Sequence, residues 1–216
     1  MRWDWVASNA ERIAGLLGDH LYLAVLPVLL GLAVALPLGF AAVRWPRLYP
    51  PMLATSGILY SIPSLAILIV LPGLLGTRIL DPINIVVALT IYTVALLLRT
   101  VVDGLRSVPD YVRQAATAVG YERWRQVLQV ELPVAVPVIM AGVRVATVAN
   151  ISLVSVGALI GIGGLGELFT EGFQRDFLTP IVVGVVLSVV LALTADAVLV
   201  LLQRLLTPWT RAGRTS

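Results

Sequence analysis

Few side chains in this sequence could do chemistry, and they lie far apart along the chain. His20 is the single histidine, so it would have to act as the base for any hydroxyl nucleophile, with Ser152 and Ser155 as the candidates. It falls ahead of the first long apolar run, whereas both serines fall inside a later one. A haem or quinone site would want paired histidines within helices, and one histidine cannot supply them. Cysteine is absent, which removes disulfides and thiolate metal sites. Gly161-Ile-Gly163-Gly164-Leu-Gly166 satisfies the G-x-G-x-x-G spacing of dinucleotide sites. It follows an apolar run instead of a strand, and no acidic residue stands about twenty positions on, so it reads as a tight turn near a gate or as a passive loop. Asn150-Ile-Ser152 matches a glycosylation pattern but is embedded in apolar sequence, where it has no acceptor meaning. Two charges, Arg144 and Asp196, also sit inside apolar runs. A charge in hydrocarbon is costly unless it pairs or faces a cavity, so the two are candidates for an ion pair; Arg144 snorkelling to an interface is the rival reading. Asp196 alone could be an ion or proton site in a self-sufficient carrier.

The elements that must position these residues are membrane helices. With 59% hydrophobic and 12% charged residues over 216 positions, and a mean hydropathy of +0.96, the chain has more apolar surface than one water-soluble core of this size can hide. Crossing roughly 30 Å of hydrocarbon takes about 20 residues of helix. Five segments meet or approach that: 21–43, 51–72, 83–98 continuing past Arg99, 134 to about 160, and 180 to about 202. The expected fold class is therefore all-α, a polytopic membrane protein of about five spans forming one domain over residues 1–216. Residues 1–20 contain Asp4, Glu11 and Asp19 without a long apolar core or cleavage signature, so they read as a short extracytoplasmic helix or arm, not a secretory signal.

All 15 basic residues are arginine. They are scattered among apolar segments and form no stripe, which argues against nucleic acid as a partner and for a lipid bilayer with a basic inner face. Placing residues 99–133 in the cytoplasm puts ten arginines inside (44, 47, 99, 106, 113, 123, 125, 204, 211 and 214) and four outside (2, 12, 78 and 175). The excess of basic residues on the inner side favours an outside N-terminus and a cytoplasmic C-terminus in the cell membrane of a prokaryote.

The charged 99–133 segment is the one long connection on that side. Within it, Ser107-Val-Pro-Asp110 reads as a helix start, with serine able to cap, proline tolerated in the first turn and aspartate at the positive end of the helix dipole. A small-residue patch of Ala115, Ala116 and Ala118 follows, then Gly120, which together permit close approach by another surface. Leu132-Pro133 is expected to stop one helix and start the next. An interfacial amphipathic hairpin explains these features as readily as a docking element does.

The stretch Gln114-Ala115-Ala116, Gly120 and Val130-Glu131-Leu132-Pro133 resembles the cytoplasmic EAA-type loop of permease subunits in ATP-binding-cassette (ABC) importers. Ile62-Pro63-Ser64-Leu65-Ala66, Pro137-Val138-Ile139-Met140-Ala141-Gly142 and Gly163-Gly164-Leu165-Gly166 extend the likeness to roughly residues 57–170, toward the permeases for glycine betaine, carnitine, choline and related osmoprotectants. Gln114 stands where the motif carries an acid, and Ile162 where these relatives usually have a smaller residue. The resemblance implies a type I importer permease in which Gln114, Ala115, Ala116, Gly120, Leu132 and Pro133 form a coupling helix and its exit, seated on an ATPase. This chain holds no G-x-x-x-x-G-K-[ST] loop, so no cofactor is expected on it and ATP and magnesium belong to partner subunits. The implied assembly has two ATP-binding subunits, a second permease subunit, identical or homologous, and an extracytoplasmic substrate-binding protein. A permease for another small polar solute such as an amino acid, or an ion-coupled secondary transporter, remains open at this point.

Polar or helix-distorting residues that could line a passage are Tyr60, Ser61 and Ser64 beside Pro63, and Asn150, Ser152 and Ser155 in the fourth span. They could equally bond backbone carbonyls or neighbouring helices. Intramembrane aromatics are too few and too dispersed for the aromatic cage that a quaternary ammonium group favours, which places such a cage in the separate binding protein.

Overall fold

The computed structural model describes residues 1–209; Arg211 and Arg214, counted above on the inner side, lie outside the described residues. A short helix, α1 (Trp3–Ser8), breaks at Asn9 and gives way to α2 (Ala10–Arg44). The expected arm at 1–20 is thus not separate from the first span, since residues 10–20 are the opening turns of α2. Ile13, Leu16 and His20 turn inward at helical spacing while Glu11, Arg12 and Asp19 stay exposed. At 1.5 Å per residue, α2 runs to about 52 Å, well beyond the hydrocarbon thickness.

The second expected span is broken. Residues 51–72 divide between α3 (Tyr49–Ser61) and α4 (Ser64–Leu75), which meet at 101°. Pro63 lacks an N–H and pushes the preceding residue out of the helical region, and Ile62 is accordingly extended (φ −70°, ψ 131°). Apolarity alone could not reveal the bend. The freed Ile62 carbonyl accepts a hydrogen bond from the Tyr92 hydroxyl, and Tyr92 packs edge-on against Tyr60 at 5.9 Å. Non-helical backbone at membrane depth requires a partner of this kind.

Next comes α5 (Pro82–Arg106), capped by Asp81, whose Oδ1 accepts from the Ile83 N–H at 3.0 Å, with Pro82 in the first turn. It is the central helix, with Leu97, Val101 and Val102 fully buried. The two short helices α6 (Asp110–Ala118) and α7 (Arg123–Gln126) follow. A π-helical turn at Val127–Glu131 then leads without interruption into α8 (Leu132–Gly157), and Ala158–Ile160 add a 3₁₀ turn. After the glycine-rich loop come α9 (Gly166–Gln174) and α10 (Leu178–Leu206).

Small residues set the spacing of the bundle. Gly31 and Gly39 on α2 lie against Thr93 and Val101 on α5, so the two helices run parallel with a constant offset. On the antiparallel α8, Gly142 faces Thr100, and a Cβ there would fall 2.5 Å from the Thr100 Cγ2. Close backbone approach of this type is what holds helices together where lipid removes the hydrophobic drive.

In contrast, α10 buries only Thr179, Pro180 and Gly184. It lies against α8 and α9, and at mid-height a bidentate ion pair fastens it: Arg144 Nε and one terminal nitrogen donate to the two Asp196 carboxylate oxygens at 2.7 and 2.8 Å. Neither charge is left facing lipid alone, which is the arrangement low-dielectric surroundings demand. Arg144→Gln and Asp196→Asn should each lower the melting temperature of the detergent-purified chain, and the charge-exchanged variant Arg144→Asp/Asp196→Arg should recover part of the loss. Strictly additive effects in that cycle would mean that the two side chains are not coupled.

Candidate coupling surface and translocation path

At one end of the bundle, α5 closes with the Ser107 hydroxyl donating to the Gly104 carbonyl at 2.7 Å. Serine therefore terminates α5 and does not cap α6 as expected; Pro109 occupies that position, and Asp110 opens the helix. Arg113 anchors α6 to the bundle. It donates to the Leu105 carbonyl at 2.7 Å and stands 3.2 Å from Asp110 and 3.7 Å from Glu131. Gln126 donates to Glu131 at 3.2 Å, tying the π turn into the same network. Apart from the i,i+3 pair of Asp110 and Arg113, this bracing joins residues eight or more apart or across the π turn, where sequence spacing gives no signal.

The expected docking residues divide between the faces of α6. Gln114, Ala115 and Ala118 are exposed, whereas Ala116 is buried against the bundle. Tyr111, Val119, Trp124 and Leu128 also present their side chains outward, so large apolar groups stand among exposed polar and charged residues such as Asp110, Gln114, Glu122 and Arg125. Gly120 has a structural reason to be glycine. At φ +89° it is the left-handed residue that ends α6, with the Tyr121 N–H returning to the Ala116 carbonyl at 3.0 Å and its own N–H to Thr117 at 3.0 Å. A Cβ there would meet nothing within 4 Å, so the demand comes from backbone conformation and not from crowding inside the chain. A glycine following a helical run is a C-cap signal that the sequence did offer.

Leu132-Pro133 does not separate two helices. Helix is continuous from Arg123 to Ile160, and both residues lie inside it. The physical reason is the π turn immediately before them: its wider i→i+5 bonding shifts the ladder so that the N–H missing from Pro133 breaks no helix.

Of the expected path residues, Asn150 is buried and serves packing: its amide donates to Thr93 Oγ1 at 3.0 Å and to the Ala24 carbonyl at 3.4 Å, joining α8, α5 and α2. Tyr60 shares a small niche with it, only about 10 Å³ in volume. Ser61 returns its hydroxyl to the Gly57 carbonyl at 2.7 Å, and Ser64 opens α4 beyond the break. Ser152 and Ser155 line a separate groove of about 290 Å³ together with Phe169 of α9 and Ser188 of α10. A single chain thus brings these six residues to three places, not to one channel.

His20 lies within α2, not ahead of the first span, and is fully buried. Its Nε2 bonds the Ile151 carbonyl at 2.9 Å, while Nδ1 accepts from the Leu165 N–H at 3.1 Å. One partner only accepts and the other only donates, which fixes the proton on Nε2. With both nitrogens engaged, the ring is a clasp between α2, α8 and the glycine-rich loop and offers no free base to Ser152 or Ser155. Gly164, at φ +80°, passes directly over it, where a Cβ would fall 2.9 Å from Nδ1.

Residues 24–212 match the family described as binding-protein-dependent transport system inner membrane component. The chain is 34% identical over 207 residues to the osmoprotectant import permease protein OsmW of Salmonella typhimurium, covering 94% of this chain and 96% of that one. It is 33% identical to the glycine betaine/carnitine/choline transport system permease protein OpuCB of Bacillus subtilis, covering 94% and 93%. Among solved structures, the inward-facing MetNI methionine ABC transporter shares the fold with a TM-score of 0.79 at 23% identity, covering 90% of this chain and 96% of that one. An end-to-end match of this kind leaves no place for an ion-coupled secondary carrier, and Asp196, already held by Arg144, offers no free carboxylate for one. The chain belongs to the binding-protein-dependent transport system inner membrane components, the multi-pass permeases of ABC transporters whose ATPase is a separate subunit.

Proposed function

We propose that this permease serves an importer of glycine betaine, choline, carnitine or related quaternary ammonium osmoprotectants. The observation that carries this reading is that relatives named for those solutes align with it over nearly their whole length. The chain works with two ATP-binding subunits, a second permease subunit and an extracytoplasmic binding protein. Two features support a second permease subunit: one chain gathers no continuous channel, and α10 leaves one apolar face exposed at Val186, Val189, Val190, Leu193 and Leu201. The exposed face of α6 and α7 is the coupling surface toward an ATPase. Force delivered there enters the long helix at Arg123 and reaches the glycine-rich loop at its far end.

Co-reconstitution with its ATPase and binding protein should give ATP-dependent uptake stimulated by glycine betaine, choline or carnitine. Stimulation by amino acids that lack a quaternary ammonium group, with none by those three solutes, would overturn the substrate assignment.

The proposed sidedness puts α6 and α7 in the cytoplasm and α1 and α9 outside. Cysteines replacing Asp4 and Phe173 should react with an impermeant thiol reagent in intact cells, and cysteines replacing Arg47 and Arg123 only after permeabilisation. All four native positions are exposed, so accessibility will report topology and not burial.

Gly120 separates docking from local conformation. A Cβ in the left-handed region costs roughly 1–2 kcal/mol for most residues, whereas asparagine adopts it more readily. If only the turn matters, Gly120→Asn should keep more uptake than Gly120→Ala. If an ATPase packs closely over this position, Gly120→Asn and Gly120→Leu should both lose ATPase co-purification while the permease still inserts. Normal assembly and normal uptake in Gly120→Leu would remove this segment from the coupling path.

A further inference from the structure

Where α2 ends, its last turns and the α6–α8 connection enclose a cavity of about 520 Å³. Phe40 and Val43 give it an apolar wall. Its other side is cationic, with Arg44, Arg113 and Arg123 all lining it against a single carboxylate, Glu131. That carboxylate is already engaged, since Arg113 stands 3.7 Å from it and Gln126 donates to it at 3.2 Å. Arg113 and Glu131 therefore largely neutralise one another. Arg44 and Arg123 form no ion pair among the described residues; Arg44 has only the ring of Trp45 beneath it, at 6.0 Å. Two guanidinium groups thus face one concavity with their charge uncompensated and donors to spare. The depth is telling as well. Trp45 and Tyr49 follow immediately, and such aromatics mark the level of lipid head groups.

An apolar wall, two free guanidinium groups and a position at head-group depth together fit a phosphate-bearing amphiphile. We propose that this cavity binds a phosphate anion between Arg44 and Arg123, with the phosphodiester head group of an anionic phospholipid as the source that also uses the apolar wall. Guanidinium is well suited to that role, since its planar fork can donate two parallel bonds to phosphate oxygens, and basic pockets between membrane helices hold anionic head groups in this way. Because the cavity spans the end of α2 and the α6–α8 connection, an occupant would cement the proposed coupling surface to the first span. The assignment rests on the cavity and its charges and holds whichever solute the permease carries.

The test uses the full chain purified in neutral detergent, with phosphatidylglycerol or phosphatidylcholine of identical acyl chains added and retention read by native mass spectrometry. Wild type should retain phosphatidylglycerol in preference. Arg44→Gln and Arg123→Gln should each reduce that retention about fivefold, the amount one basic residue contributes near an anionic surface. Arg125→Gln, which removes the same charge from the same segment outside the cavity, should change it little. Arg44→Lys and Arg123→Lys keep the charge and control for folding, and should retain more lipid than the glutamine variants. A parallel arm adds inorganic phosphate and follows the melting temperature; stabilisation lost in Arg44→Gln and Arg123→Gln, without any lipid preference, would identify a soluble phosphate as the occupant of the same site. Equal retention of both lipids with no effect of phosphate overturns the proposal, as does an Arg125→Gln variant as impaired as Arg123→Gln. Variants that keep lipid retention but lose ATPase co-purification would give these arginines to the partner protein and overturn it equally.

Discussion

The bundle depends on the continuity of one helix, from Arg123 through the π turn to Ile160, in a sequence where Pro133 should have broken it. Three long-range polar ties in the membrane region meet on this rod. Asn150 joins it to α5 and α2, the Ile151 carbonyl receives His20, and Arg144 holds Asp196 of α10. Its small residues do the same by packing, with Gly142 seated against Thr100. At 1.5 Å per residue, 38 residues make a lever of about 57 Å, long enough to connect the exposed α6–α7 surface with the glycine-rich loop at the opposite end. A break at Pro133 would have left the connection and the membrane helix as separate bodies joined by a hinge. The π turn avoids that at the cost of less regular bonding over a few residues.

The second proline break works the other way. At Pro63 the chain does turn, by 101°, and the carbonyl set free is returned to Tyr92. Both prolines face the same constraint, that hydrocarbon offers no water to a backbone group. They resolve it differently because their surroundings differ: Pro133 lies beside a polar connection where a wider turn can form, and Pro63 lies in apolar sequence beside a tyrosine able to donate. The ends of the bundle show a similar division. Arg12 pairs with Glu171 at 2.6 Å on the side of α1 and α9. At the other end Arg44 and Arg123 form no ion pair among the described residues, leaving a surface that attracts anions.

How much was legible in the sequence follows from how local each signal is. Span positions rest on runs of apolar residues about 20 long, and α2, α5, α10 and the continuous helix from Arg123 to Ile160 each contain the segment expected of them. The helix at 110–118 and its glycine terminus are likewise written within a few residues of one another. What could not be read depends on partners distant in sequence. Ile62 gives no hint that Tyr92, thirty residues on, will receive its carbonyl, and Ser107 carries the same cap signal whether it closes α5 or opens α6. Asn150 was legible as polar and intramembrane, but only the juxtaposition of Thr93 and Ala24 makes it a tie between helices instead of a path residue. His20 misled for a related reason: a helix that begins at Ala10 carries polar residues on its exposed side, and these hid the inward periodicity of Ile13, Leu16 and His20.

These ties also define which motions remain open to the molecule. The union of α2, α5 and α8 is close-packed through glycines and fastened by buried hydrogen bonds with no water to replace them, so it should move as one body. Around it lie elements with fewer commitments: α10, which buries few residues and packs one face against α8 and α9 with an ion pair to Arg144, and the bent α3–α4 pair. On the proposed coupling role of α6, a push there would pass through the Arg113 network into a body that cannot bend cheaply, and its displacement would then appear at these looser edges. Alternating exposure of a path therefore requires no deformation of the core, only that the weakly tied elements re-seat against it as the rigid group tilts.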